Sequence, residues 1–222
     1  MGQWVSKQYS VDSQGIDDLR LESMATRAAT PTIIERRWTA AEYRRLPEGP
    51  PYYEFEDGEL IEMVRPRGRH QRLILRLGAT LEAYLSQQPI GEVWPEVAVF
   101  LTPRHIYVPD LSFLLTENLG RFADDVTIEG PPDLVIEIIS PSTASRDKAH
   151  KLRVYHAAGV LWYWLVETES LLITEYRHTQ DGYLLNQIVP PSEPFAPALF
   201  SGLSFRMADL TGASNLEEES HE

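Results

Sequence analysis

Leucines recur at every fourth position from Leu73 through Leu77 and Leu81 to Leu85, which predicts a helix over 68–85 with one apolar face. Between Tyr52 and Val64, apolar residues alternate on both sides of Asp57-Gly58. That pattern predicts a β-hairpin with a two-residue turn. Upstream, Thr39 to Leu46 predicts a short helix that stops before Pro47, capped by Thr39 with Glu42 three residues later as a capping box. Strands are expected at 93–101 and 106–115, then a long connection over 116–132 ending in Gly130-Pro131-Pro132. Leu134 to Ile139 is apolar on both faces, as a central strand buried on both sides would be.

Ser140-Pro141-Ser142-Thr143 turns the chain into a helix over roughly 144–158, which Gly159 ends. Strands follow at 160–166, 171–177 and 182–189, and a short apolar stretch from Leu199 to Leu210 packs against them. The Trp162-Tyr163-Trp164 cluster reads as core and sheet surface. Together these elements give an α/β fold, a mixed central β-sheet flanked by helices. Residues 1–30 are polar and aperiodic and read as disordered or loosely attached, with Met24 as an alternative start. The domain is expected over 31–212, followed by an acidic tail at 213–222.

Composition narrows the chemistry. With 43% hydrophobic residues and 5 Trp, 10 Tyr and 7 Phe among 222, the chain has material for a folded core. There are no cysteines, so disulfides and thiolate metal sites are excluded and any metal must sit on Asp, Glu or His. Oxygen ligands favour hard ions such as Mg²⁺. No apolar run is long enough to span a bilayer, and the N-terminus lacks the layout of a signal peptide, so a cytoplasmic protein without membrane contact is expected. The net charge of −13 argues against nucleic-acid binding overall. Its distribution qualifies that: Arg65, Arg67, Arg69, Arg72 and Arg76 form a local basic cluster, and an acidic protein can carry a basic groove.

The informative residues are carboxylates out of place. Glu137 interrupts Leu134-Val135-Ile136-Glu137-Ile138-Ile139, where an unpaired charge would be costly to bury. It is either paired with an arginine from a neighbouring element or holds a metal. Asp110 stands between Val108-Pro109 and Leu111-Ser112-Phe113, and Pro109 suggests a bulge or edge. Two carboxylates on adjacent strands can share one Mg²⁺, which keeps several waters. A cation should stand beside them. Only three of the twenty basic residues are lysines, Lys7, Lys148 and Lys151, and two of these follow Glu137 in the next helix. Lysine can share a proton where arginine cannot. Asp147, Lys151 and Tyr155 lie on one helix face, which is also the spacing of an ordinary Asp–Lys helix pair. Ser140, Ser142 and Thr143 read as turn and N-cap rather than nucleophiles. His70, beside the arginines, could touch phosphate or metal.

Four ordered motifs carry a family resemblance. They are Tyr53-Glu54-Phe55-Glu56-Asp57-Gly58-Glu59-Leu60-Ile61-Glu62-Met63, then Val108-Pro109-Asp110-Leu111-Ser112-Phe113. The third runs from Pro132-Asp133-Leu134 through Glu137 to Ser140-Pro141-Ser142-Thr143, with Asp147, Lys151 and Tyr155 after it. The fourth is Gly159-Val160 with Tyr163-Trp164-Leu165-Val166. Over about residues 38–210 the chain resembles the Uma2 family of restriction-endonuclease-like proteins. The resemblance implies a PD-(D/E)XK nuclease fold in which Asp110 and Glu137 match the metal-binding acids and Glu54 an additional acid. The customary lysine two residues after the second acid is replaced by Ile139, with Lys151 as the migrated substitute. Trp162 and Leu161 stand where the family has Glu and Pro.

The resulting expectation is a Mg²⁺-dependent endonuclease acting on DNA, with Mn²⁺ as an alternative ion. Asp110, Glu137, Lys151 and Glu54 would be its catalytic residues and Asp110 and Glu137 its metal ligands. Arg65, Arg67, Arg69, His70, Arg72 and Arg146 would contact DNA, and cutting two strands with one site per chain would favour a homodimer. The alternatives are a catalytically inactive nuclease-fold module for DNA binding or assembly, and a hydrolase of a small phosphorylated substrate. For the last, no Gly-rich phosphate loop is present.

Overall fold

The computed structural model describes residues 33–34, 37–47, 49–63, 68–139 and 146–211, the side chains of 33–34 and 146–148 excepted. The expected terminal segments, Met24, the Arg65 and Arg67 positions and the Ser140–Thr143 turn lie outside the described residues.

Strand β1 (Ile33–Ile34) leads to helix α1 (Ala40–Tyr43), where Thr39 and Glu42 form the capping box. Strands β2 (Tyr53–Glu56) and β3 (Glu59–Glu62) make the hairpin; Asp57 and Gly58, both at positive φ, supply the turn. Helix α2 (Gly68–Leu85) buries Leu73, Ile74, Leu77, Leu81 and Leu85, each contributing roughly 1.5–3 kcal/mol by leaving water.

The next stretch departs from expectation. Each of the two long strands breaks in two, giving β4 (Gly91–Pro95), β5 (Ala98–Thr102), β6 (His105–Tyr107) and β7 (Leu111–Leu115). The breaks are crossings between sheets. Strands β4 and β7 lie in one sheet, β5 and β6 in the other. The first crossing turns at Glu96, at φ +50°, and the second at Pro109-Asp110, where proline cannot donate to a ladder. The Glu96 N–H donates to the Asp110 carbonyl at 3.2 Å and ties the two crossings together.

The expected long connection is also partly ordered. It holds a 3₁₀ helix (Thr116–Arg121) and two short strands, β8 (Phe122–Ala123) and β9 (Thr127–Glu129). Strand β10 (Leu134–Ile139) runs antiparallel to β7 and parallel to β11 (Trp162–Glu167). The parallel pair requires a crossover, which helix α3 (Arg146–Ala158) provides, ended by Gly159 at φ +91°. Strands β12 (Ile173–Thr179) and β13 (Gly182–Val189) and helix α4 (Met207–Thr211) complete the chain.

A mixed six-stranded sheet in the order β13-β12-β11-β10-β7-β4 is thus the expected central sheet. A second, seven-stranded sheet, β1-β3-β2-β6-β5-β9-β8, joins it. Leu134, Ile136 and Ile138 of β10 pack with α2, Trp164 and the C-terminal Phe195 and Phe200. Val135 faces the other way, into a core with Val154 and Tyr155 of α3 and Val99 and Tyr107 of the second sheet. Period-two alternation therefore turns Glu137 toward α3 and the second sheet. Among the described residues no helix is long and apolar enough to cross a membrane.

Candidate active site

Antiparallel pairing of Ile136 with Leu111 places Glu137 beside Asp110, at the point where β7 leaves its neighbour for the crossing. Asp110 continues the ladder with its side chain. The Ile138 N–H donates to Asp110 Oδ2 at 2.6 Å, and His70 Nε2 at the start of α2 lies 3.2 Å from Asp110 Oδ1.

Glu137 is 8% exposed, and its two hydrogen bonds among the described residues both fall on Oε1. The Tyr155 hydroxyl donates to it at 2.5 Å and Lys151 Nζ at 3.3 Å. Lys151 Nζ also donates to Glu54 Oε1 at 2.8 Å, an oxygen that accepts in addition from the Val108 N–H at 3.3 Å. Glu54 comes from β2 of the second sheet and is itself buried. The arrangement therefore draws on α2, the β6–β7 crossing, β10, α3 and β2. The arginine partner considered for Glu137 is not found among the described residues; its partners are Lys151 and Tyr155. The side chain of Asp147, the other partner considered for Lys151, is outside the described set.

Charge in this pocket is crowded. Burial pushes the Glu137 carboxyl up to about 7, Lys151 opposes the rise, and the nearby charges of Asp110 and Glu54 add to it. Burial works against a charged His70, but its bond to Asp110 and that residue's charge prevail, so its pKa lies above the ordinary histidine value. Burial, and after it the charges of Glu137 and Glu54, raises the Tyr155 hydroxyl well above the usual tyrosine range, so it stays a proton donor to Glu137.

The structure thus brings together Asp110, Glu137, Lys151 and Glu54. His70 joins them: its side chain is 18% exposed and contacts Asp110, instead of standing among the arginines. Arg69, Arg72 and Arg76 are exposed on α2. Arg146 opens α3. A neighbouring rung was not foreseen. Glu56, two residues after Glu54 on the same strand face, accepts from the Tyr107 hydroxyl at 2.8 Å and lies 2.6 Å from His150 Nε2. The alternation Glu54-Phe55-Glu56 was the available signal.

Comparison with known proteins bears on the fold and the family. A crystal structure described as a putative nuclease belonging to DUF820, from Anabaena variabilis, superposes with a TM-score of 0.63 at 25% identity. The match covers 78% of this chain and 97% of that one. No curated protein matches the chain. The profile of Uma2, described as putative restriction endonuclease, matches residues 40–208, a span that contains every residue of the cluster. The chain belongs to the Uma2 family.

Proposed function

We propose that the chain is an endonuclease that hydrolyses DNA phosphodiester bonds with a divalent ion, Mg²⁺ or alternatively Mn²⁺, in the manner of PD-(D/E)XK enzymes. The observation that carries this reading is the convergence of Asp110, Glu137, Glu54 and Lys151 on one buried spot from separate elements. Family membership and the likeness to a nuclease support it at the coarser level of nuclease chemistry.

The donor set suits such an ion. Among the described residues, no three His, Asp or Glu groups form a ready-made cation site. Mg²⁺ requires less, commonly one or two carboxylates with the remaining positions left to water. Asp110 and Glu137 are the pair that would hold it. Three carboxylates against Lys151 and His70 leave negative charge that a divalent ion offsets. When bound, the ion supplies an activated water and a Lewis acid at phosphate.

The remaining work falls to the chain. Tyr155 and Lys151 fix Glu137 through Oε1, and Oε2 has no bond among the described residues. The Ile138 amide and His70 fix Asp110. Lys151 carries the compact charge that can orient a water or a phosphate oxygen. Exposed Arg69 and Arg72, joined by Arg65, Arg67 and Arg146, would contact the backbone, which positions DNA without reading its sequence. Cutting both strands with one such site per chain favours a homodimer.

Plasmid nicking in Mg²⁺, Mn²⁺ and EDTA tests the proposal. Wild type is expected to cut only with metal, and Asp110→Ala to be inactive yet folded. DNA binding in gel shift without cleavage under any metal would move the reading to an inactive DNA-binding module. Absence of both would move it to a small phosphorylated substrate.

A further inference from the structure

Beside the acidic cluster lies a cleft of about 590 Å³ between the β5–β6 turn and helix α3. The turn contributes Pro103, Arg104 and His105, and the helix contributes His150, Arg153 and Val154. The cleft begins one rung away from the cluster. Glu54 on β2 meets Lys151 on α3, and Glu56, two residues along the same strand face, meets the preceding helix residue His150. Two strand residues span roughly 7 Å. His150 therefore forms a wall of the cleft, while its neighbour Lys151 reaches Glu137.

The lining is mostly apolar, and the groups that could meet an anion are its exposed arginines. Arg104 Nε donates to Asp57 Oδ1 at 2.6 Å, which fixes the guanidinium while its side chain stays 73% exposed. Its two terminal nitrogens have no partner among the described residues. Arg153 is exposed on the facing helix and makes no ion pair among the described residues. His105 is braced by Thr102 Oγ1 at 3.0 Å from Nδ1. Two carboxylates stand behind these groups. Glu56 is engaged by Tyr107 and His150, and Asp57 by Arg104, with His105 Nε2 at 3.9 Å. Pro103 and Val154 add apolar surface of the kind that receives a sugar.

We propose that this cleft holds the phosphodiester backbone of the strand being cut, on the side of the site opposite α2, with Arg104 and Arg153 as its phosphate grips. Basic residues then flank the acidic cluster on both sides: Arg69 and Arg72 on α2, where His70 touches Asp110, and Arg104 and Arg153 at the cleft. The assignment rests on the nuclease reading above.

Fluorescence anisotropy with a labelled 20-base-pair duplex in EDTA, over a series of salt concentrations, tests it. The double variant Arg104→Gln, Arg153→Gln is expected to bind about tenfold more weakly near 0.1 M salt. Its log affinity against log salt should be shallower by about two, close to 0.9 for each phosphate that is no longer neutralised. Arg104→Lys, Arg153→Lys should keep most of the slope. Arg177→Gln, which removes an exposed charge from β12, should match wild type. A glutamine double variant with the wild-type slope, in a protein that binds and cuts DNA, would overturn the cleft assignment alone. Wild type that neither binds nor cuts DNA would overturn the nuclease reading and the cleft with it.

Discussion

Two strands of the central sheet each bury a glutamate, on opposite faces. Glu175 on β12 is 0% exposed and turned toward the α2 side. It accepts from Trp164 Nε1 at 3.2 Å, Gln187 Nε2 at 2.8 Å, the Ala198 N–H at 3.1 Å and Asn186 Nδ2. Every one of these donors is neutral and comes from the protein's own frame. Glu137, on the α3 side, has two bonds among the described residues, both on one oxygen, with two other carboxylates close by and a lysine for company. Both residues are buried acids in apolar strands. The difference lies in what surrounds them: neutral donors use up the lone pairs of Glu175, whereas Glu137 stands among unbalanced charges and its Oε2 has no bond among the described residues. Burial of a charge is therefore a poor pointer to chemistry until its partners are counted.

Substituting each acid by alanine should separate the two roles most sharply. Glu137→Ala is expected to lose more than about 100-fold in metal-dependent plasmid cleavage with a melting temperature near that of wild type. Glu175→Ala strands the buried Trp164 indole N–H, at about 1–3 kcal/mol, and takes an acceptor from Gln187, Asn186 and the Ala198 amide, which solvent can partly replace. Its melting temperature should fall by roughly 5–10 °C for a domain this size, with cleavage retained at low temperature. If the two phenotypes were exchanged, Glu175 would be the reactive acid and Glu137 the anchor.

Lysine at position 151 comes next. Lys151→Ala should lose cleavage by about 100-fold, since Lys151 is bonded to Glu54 and Glu137, while Lys148→Ala should stay within a few-fold of wild type. Equal rates for the two variants would detach the helix from the chemistry.

A pH series of melts in EDTA sharpens the comparison further. Glu137 has its folded pKa raised from 4.5 to about 7, so the folded state holds the proton more tightly than the unfolded chain does. Its contribution is favourable below 4.5 and is lost as pH rises through 7. Metal-free wild type should thus weaken between about pH 5 and 8. Glu137→Gln keeps an acceptor for Tyr155 without the charge, so it should melt a few degrees above wild type at about pH 8 and close to it at about pH 5. A variant that melts lower at the alkaline end would show that the pairing with Lys151 outweighs burial and repulsion. The smallest effect belongs to Tyr155→Phe, which removes one donor from Glu137. About tenfold in cleavage and ~1 kcal/mol in stability are expected, read from steady-state rates and denaturant midpoints.

Much of the site could be read from residues alone, because Glu137 breaks a strand apolar on both faces and Lys151 is a rare lysine in an arginine-rich chain. The Leu73–Leu85 helix and the Asp57-Gly58 hairpin were legible from periodicity and turn chemistry. What escaped was long-range. The runs 93–101 and 106–115 have strand-like composition throughout, and nothing local says that each changes sheets midway; that depends on which edges are free once the chain has collapsed. Glu175 gave no signal because Thr174, Tyr176 and Arg177 around it read as an ordinary half-exposed strand. Sequence proximity groups His70 with the arginines, yet the step of about 100° per helical residue turns it away from Arg69 and Arg72 and onto Asp110. Glu56 and His150 meet only through tertiary packing.

The tie between the two sheet crossings has a further use. Asp110 holds the Glu96 N–H with its carbonyl and the Ile138 N–H with its carboxylate, so one residue secures two amides in different ways. Deuterium uptake at Ile138 then follows the carboxylate, while uptake at Glu96 follows the backbone joint. A ligand that draws the Asp110 side chain away would quicken exchange at the first amide and leave the second slow. The two amides would then serve as a gauge of occupancy, with an internal reference fourteen residues along the chain from the carboxylate it monitors.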